Sequence, residues 1–431
     1  MRVRFRKWKE KKWQLMWAFI VAATTLVIAY FAINIDILES EEKQYLTLSE
    51  WITDGLGFHR NSDDDEVVFI DVTYDKELRQ VRDEFDMEMG NTQVTDRRKL
   101  LRLLEALKEN PNYRYVILDI IFPLNTIEDK DDSLFQMIAE VPRLIIPLQE
   151  LNPPFQDSLH KKMGEAIYFT SLIESDFVKY PYITSESRSL PLMMYEDITG
   201  RKIEHKGLWF TEEGRPVRKS IFLTFDTRLK NKVENQEEVS VESENLTVYL
   251  LGRDLTGLEE GTGMMEFLPE LIEDKYVIIG SLYGDDNHSS YVGSQPGPLI
   301  LYNAFFSLMK GKHYISPWLA VFLFIIYFIT SFMIITDFSF KELLREKAMA
   351  ILKEKRTDKK GRRKAAMLLL VSGIAGWFSL TLILLFIVVG FYFIFGEVYD
   401  ILISGIYLVM VSLLIRNIPK IKEFIRLIYG K

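Results

Sequence analysis

The chain contains no cysteine and only five histidines in 431 residues. The first absence excludes disulfides, thiol nucleophiles and cysteine-ligated metal, so an exported domain here must be held by its own apolar core. The histidines are scattered and give no Ser-His-Asp arrangement. The glycine that ends the apolar run "YVIIG" is not followed by Lys-Ser or Lys-Thr, which removes the usual phosphate-cradling loop.

Charge is missing from long stretches as well. Leu15 to Ile33, Trp318 to Ile335 and Ala365 to Phe395 hold no ionisable residue, and after "GEVYD" the chain is apolar again from Ile401 to Ile415. A helix needs roughly 20 apolar residues to cross ~30 Å of hydrocarbon. The pattern therefore predicts an all-α membrane region of four transmembrane helices, at 13–33, 317–336, 367–395 and 398–415, the last two forming a hairpin. With no ionisable group inside them, a pump or ion carrier is disfavoured. Ser372, Gly373, Gly376 and Ser379 form a small-residue face suited to close helix packing. The first span is longer than a signal-peptide core and no Ala-x-Ala site follows it, so it reads as an uncleaved anchor.

Positive charge clusters between the spans. Segment 1–12 has seven Lys/Arg, the loop 337–364 has eleven and the tail 416–431 has five. Lys and Arg near membrane ends stay cytoplasmic, which makes the lipid bilayer a partner and places 34–316 in the periplasm of a bacterial inner membrane. That segment carries 30 Lys/Arg against 52 Asp/Glu, a formal charge of −22. Such an acidic surface repels nucleic acid and anionic lipid heads. The basic loop 337–364 has the further option of binding anionic lipid or a partner, but a topology determinant is the simpler role.

Within 34–316, residues from about Asn34 to Arg60 look helical and link the first span to the folded part. Val67–Asp71, Tyr115–Ile121 and Leu144–Pro147 read as strands, with helices at Asp96–Glu109 and Ser133–Ala139 between them. Continuous apolar strands alternating with helices predict an α/β domain with a mostly parallel sheet covered on both faces. Further on, a short helix ends at Gly200, "KSIFLTFD" and "NLTVYLLG" read as strands, and the polar stretch between them is a loop or exposed hairpin. "YVIIG" at Tyr276–Gly280 returns to the buried-strand pattern, and "GPLILYNAFFSLMKG" is the helix beside it.

Two buried-strand patterns contain a carboxylate: "VVFIDVTYD" has Asp71 and "YVILDIIFP" has Asp119. Strand C-termini of open α/β sheets are where ligand crevices lie. Each aspartate either accepts backbone N–H groups from the following turn or contacts a ligand. Thr73 stands where an aspartyl phosphatase would have its second acid, which argues against that chemistry. His288 beside Asp285 and Asp286 has the residue types of a cation site, and a solvated loop is the plainer reading. "EDKDD" at Glu128–Asp132 lacks the glycine and spaced glutamate of a calcium loop and reads as helix capping.

In this order the pieces resemble the type-two CHASE family, the cyclase/histidine-kinase-associated sensory extracellular domains of bacterial receptors. The opening strand with its acid matches "VVFIDVTYD"; the arginine before a leucine-rich helix matches Arg97 and "LLRLLEAL"; "YVILDIIFP", "DDSL" and "DKYVIIG" follow, and then Pro296, Gly297, Asn303 and Ala304. The resemblance spans roughly Trp51 to Trp318 and implies a sensory domain without enzymatic activity or cofactor. It also implies a ligand site drawn from Asp71, Arg97, Asp119, Gly280 and Asn303. The family's usual cytoplasmic kinase or cyclase is not seen, so a partner protein or homo-oligomer is expected to carry the output. Two geometric expectations go with this: Arg97 bridges Asp71 and Asp119 side by side at one rim of the sheet, and Asn303 hydrogen-bonds the Gly280–Gly284 loop. The alternative is an envelope assembly factor that uses the domain as a docking surface, and a third is a periplasmic hydrolase.

Overall fold

The computed structural model describes residues 2–33, 47, 66–82, 85, 87–151, 155–166, 178–183, 188–206, 209–223, 225, 230–232, 240–242, 247–257, 263–283, 286–336, 348–351, 366, 367, 369 and 405–418. The chain divides into two compact units, Glu50–Tyr314 and the combination of Met1–Ser49 with Ile315–Lys431.

In the second of these, α1 (Arg2–Ile33) and the late helix Pro317–Ile335 are long and apolar enough to cross a membrane. Two helices of this kind are found among the described residues, where four were expected in the chain. Apart from Met367 and Leu369, the third expected span lies outside the described residues, and of the fourth a shorter apolar helix, Gly405–Ile418, is described. Ala18, Ala22, Thr25 and Ala29 are fully buried along one side of α1, and small residues there let another helix approach closely. Phe19 meets Phe324 edge to face at 5.2 Å. Ser331 Oγ lies 3.0 Å from Ser412 Oγ, and Tyr407 donates to Thr24 Oγ1 at 3.2 Å. Apart from Thr47, the expected linker helix lies outside the described residues.

The other unit is built on β1 (Val67–Asp71). Next come a hairpin of β2 (Lys76–Arg82) and β3 (Glu88–Thr95), then α2 (Arg97–Glu109) and β4 (Tyr115–Asp119). They are followed by α3 (Asp132–Glu140), β5 (Leu144–Pro147), α4 (Phe155–Leu159), β6 (Met163–Gly164), β7 (Lys179–Pro181) and α5 (Leu190–Thr199). A smaller antiparallel sheet follows, β8 (Ile203–Lys206), β9 (Trp209–Glu212) and β10 (Arg215–Val217). Then come β11 (Ser220–Phe222), the expected polar hairpin β12 (Lys230–Lys232) with β13 (Ser240–Glu242), and β14 (Val248–Leu250). The unit closes with α6 (Leu268–Ile272), β15 (Tyr276–Gly280), the hairpin β16 (Asn287–Ser290) and β17 (Gly293–Pro296), and α7 (Gly297–Met309), before the apolar helix α8 (Pro317–Ile335) begins.

Six strands form one sheet in the order β14-β1-β15-β4-β5-β6, parallel at every pairing. Alternation along each strand separates the two faces. Val68, Ile70, Val116, Leu118, Val277 and Ile279 join the core formed with α2, α3 and α6. On the opposite face Phe69 meets Tyr302 of α7 edge to face at 5.7 Å, and Tyr276 meets Phe305 at 5.0 Å.

Helix α2 shows how the sequence specifies its place. Asp96 caps it by accepting from the Arg98 and Lys99 amides, an arrangement worth about 1 kcal/mol. Leu100, Leu103, Leu104 and Leu107 recur at helical spacing and are fully buried. Each contributes roughly 1.5–3 kcal/mol on leaving water. Asn110 ends the helix, its amide bonded to Ala106 O.

Candidate functional site

The C-terminal ends of β1, β15 and β4 stand in register, so Asp71 pairs with Gly280 and Gly280 with Asp119. Two strand spacings put the two aspartates roughly 10 Å apart on the same face. They share a rim as expected but are not neighbours, because β15 runs between them. Gly280 is the residue that permits this: a Cβ there would lie 2.5 Å from Pro298 Cγ and 3.3 Å from Asp119 Cβ. The start of α7 thus sits directly on the rim.

Asp71 is fully buried. Its Oδ1 accepts from the amides of Thr73 at 3.0 Å and Leu282 at 2.9 Å, and from the Thr73 hydroxyl at 2.5 Å. That hydroxyl also lies 3.0 Å from Ser281 Oγ and accepts from the Tyr283 amide at 3.0 Å. Oδ2 is buried with no hydrogen-bond partner among the described residues. Burial pushes the Asp71 carboxyl above the usual aspartate range, although the three donors pull it down.

A group whose folded pKa is raised stabilises the fold below its ordinary pKa and loses that contribution as pH rises through the folded value. An asparagine in its place would keep the Oδ1 acceptor without the charge. Asp71→Asn is therefore expected to be at least as stable as the native protein at pH 7, with the difference closing as pH falls toward 4. Urea unfolding at the two pH values checks this, and a large loss at pH 7 would mean that the carboxylate is a structural anchor.

Arg97 does not bridge Asp71 and Asp119. Standing at the first turn of α2, it sends Nη1 to Thr126 O at 2.8 Å and to Asp131 Oδ2, and Nη2 to Thr126 Oγ1 at 2.6 Å. Its guanidinium also lies over the Phe122 ring at 5.9 Å. Asp131 is 2 % exposed and Arg97 3 %. The capping expected of "EDKDD" is found at the 3-10 turn Asp129–Asp131, where Glu128 and Asp131 form a capping box and Asp131 Oδ2 takes the Glu128 amide at 2.9 Å, while Asp131 makes no cap bond to α3. Its Oδ1 lies 3.3 Å from Nη2 of Arg79, which is itself 4 % exposed. Arg79 Nε and Nη2 both donate to Glu77 Oε1, at 2.8 and 2.6 Å. Burial pushes the Arg97 pKa down, with Asp131 opposing; for Arg79 burial acts the same way, but Glu77, Asp131 and Glu128 together raise it.

Sequence reasoning missed Arg79, Glu77 and Thr126 as members of this cluster. They come from a surface hairpin and a short 3-10 turn, neither of which has a periodic apolar signal. The signal available was Arg97 itself, a cation at the first helical position, where the helix dipole disfavours it.

Asn303 is 1 % exposed, and its Nδ2 donates to Leu299 O at 2.8 Å, four residues back in α7. His288 Nε2 lies 3.0 Å from Asp286 Oδ1, and Asp285 lies outside the described residues. Among the described residues no group of three or more His, Asp or Glu is placed to hold a metal ion.

A second buried polar cluster was also missed. Glu212 Oε2 lies 2.6 Å from His313 Nε2, and Tyr195 donates to Glu212 Oε1 at 2.8 Å; Glu212 and His313 are fully buried. Burial drives the His313 pKa down, so the neutral ring donates Nε2–H to Glu212. Burial alone would raise Glu212, but the bonds from His313 and Tyr195 hold it below its usual range. The Arg218 amide donates to His313 O at 2.9 Å, fixing the segment that leads into α8.

Comparison of the chain with protein-family profiles, with curated proteins and with solved structures finds no match.

Proposed function

We propose that this chain is a bacterial inner-membrane, receptor-like protein of the type-two CHASE kind. Its periplasmic α/β domain binds a ligand at the C-terminal rim of the sheet and passes the signal through four transmembrane helices to a partner protein or a second copy. It carries out no catalysis in this reading. The observation that supports it is the course of α7. This helix starts with Pro298 against Gly280, runs across the sheet on Tyr302 and Phe305, and is joined by residues 310–316 to α8. A ligand that shifts the rim moves the start of a stiff element whose other end leads to an apolar helix. The ligand biases this equilibrium only by its difference in affinity for the two states.

The orphan Oδ2 of buried Asp71 adds to the argument, since an unsatisfied polar atom costs stability and is retained more readily at functional sites. Tyr74, Leu78 and Met89 are 73 %, 68 % and 68 % exposed beside the rim, which favours a second reading as an envelope docking surface. Co-purification from native membranes with mass spectrometry separates the two, because only docking requires a stoichiometric protein on that hairpin.

Topology is the first expected result. Reporter fusions at Lys359 and Lys431 report cytoplasm and one at Asn235 reports periplasm. A periplasmic signal at Lys431 removes the C-terminal hairpin of spans. Transmission is tested with cysteines introduced at Asn34 and Ser316 of this cysteine-free chain. Asp71→Asn is expected to change their cross-linking rate. An unchanged rate in Asp71→Asn rejects the route from the rim.

A further inference from the structure

The buried Glu212–His313 pair stands where the α/β unit ends, and the reading of the rim gives it no part. We propose that this pair is an acid-operated latch: protonation of the His313 ring frees His313 and Tyr314, the last residues of the unit before the joint to α8, from β9 and β10. The latch does not depend on what the rim binds or on whether the chain is a receptor.

Both residues are stitched to the neighbouring strands. The Arg218 amide donates to His313 O at 2.9 Å, Tyr314 pairs antiparallel with Val217 of β10, and His313 Nε2 donates to Glu212 Oε2 of β9 at 2.6 Å. Glu212 and His313 are fully buried, so the pair is shielded from solvent. Other titratable and charged groups close around the ring. From α5, the Tyr195 hydroxyl lies 3.5 Å from Nε2 and donates to Glu212 Oε1, and Arg201, just beyond that helix, adds its positive charge. Tyr182, after β7, meets the ring edge to face at 6.4 Å, and the Tyr314 ring lies 4.2 Å from it. Arg218 is buried on the adjoining segment.

A second proton on the ring has no place in the closed cluster. Nε2–H is engaged by Glu212, and Nδ1 is buried with no hydrogen-bond partner among the described residues. The Leu308 carbonyl in the last turn of α7 favours the charged ring, but it already accepts from the Gly311 amide at 2.8 Å. Burial opposes the charge most strongly and Arg201 adds to it; Glu212 favours the charge without reversing the balance, so His313 stays below its ordinary value of 6.5. Once released into water, the ring takes the proton that the closed ring refuses. The closed state is therefore at full strength above pH 6.5 and weakens as pH falls through that value. Glu212 is held below its usual 4.5, so its contribution is lost only at lower pH. Tyr195 and Tyr314, held above the usual tyrosine range, stay neutral throughout.

Hydrogen exchange on the full chain in detergent micelles tests this, read by mass spectrometry on peptides covering 209–220 and 306–318, with times rescaled for the intrinsic pH dependence of exchange. One pH unit below 6.5 the released ring is favoured about tenfold. Protection of the Arg218 and Tyr314 amides is therefore expected to fall about tenfold between pH 7.5 and 5.5, while that of α2 holds. His313→Gln keeps an Nε2–H donor for Glu212 and cannot be protonated, so its protection is expected to be the same at both pH values. Equal protection of the two amides at pH 7.5 and 5.5 in the native chain overturns the proposal. So does a loss that persists in His313→Gln or that spreads to α2. The comparison within the native chain decides the matter by itself if His313→Gln does not fold.

Discussion

Arg97→Met is expected to destabilise the α/β unit by about 3 kcal/mol. Removing one partner of a buried ion pair costs roughly 3–5 kcal/mol because the other charge is left without compensation. Asp131, at 2 % exposure, would keep the Glu128 amide and Arg79, which sets the loss at the low end of that range. Thr126 would lose donors at both its carbonyl and its hydroxyl. The methionine side chain preserves much of the apolar contact on Phe122, so the loss reports the charge and its hydrogen bonds. Urea unfolding gives the number. The double variant Arg97→Met with Asp131→Leu is expected to recover part of the loss, since it removes the stranded carboxylate but also takes an acceptor from the Glu128 amide and from Arg79, which keeps Glu77. A double variant as unstable as Arg97→Met alone would show that Thr126, and not Asp131, is the main partner.

Gly280→Val is expected to cost about 3 kcal/mol and to displace the start of α7. The added Cβ would stand 2.5 Å from Pro298 Cγ and 3.3 Å from both Asp119 Cβ and Asp119 O. Neither neighbour can swing away: the first is a ring in the first turn of a helix, and the second belongs to the adjoining strand. Overpacking of this kind typically costs 1–3 kcal/mol, and the branched side chain puts the value at the upper end. Because α7 leads to α8, the same variant is expected to alter cross-linking between cysteines at Asn34 and Ser316 even without ligand. A loss below about 1 kcal/mol would mean that α7 rides loosely on the sheet, and the transmission route would lose its stiff element.

Both effects rest on neighbours that are distant in sequence, and this is where the reading of the chain alone stopped. The strands β1, β4, β5 and β15 are legible because a strand buried on both faces must be apolar throughout. α2 is legible because its leucines fall on one helical face behind an aspartate cap. The hairpin β2–β3 is not legible: among its residues Leu78, Met89 and most of β3 are exposed, so no alternation marks it. Among the expected membrane spans, the charge-free runs at the N-terminus and before residue 336 correspond to apolar helices of sufficient length.

What the sequence determined by itself, then, is which residues leave water and in which period: the buried strands, the leucine face of α2, the two long apolar helices, and the fact that Asp71 and Asp119 end strands. These follow from local propensity and from the cost of solvating apolar surface, which each residue carries regardless of its partners. Only the tertiary structure decided who meets whom. It inserted β15 between β1 and β4, which separated the two aspartates and placed Gly280 under Pro298. It turned Arg97 toward Asp131 and Thr126, and it buried Glu212 with His313 across 101 positions of chain. A guanidinium accepts any carboxylate within reach, so its choice is set by strand order and loop course, which no local pattern encodes.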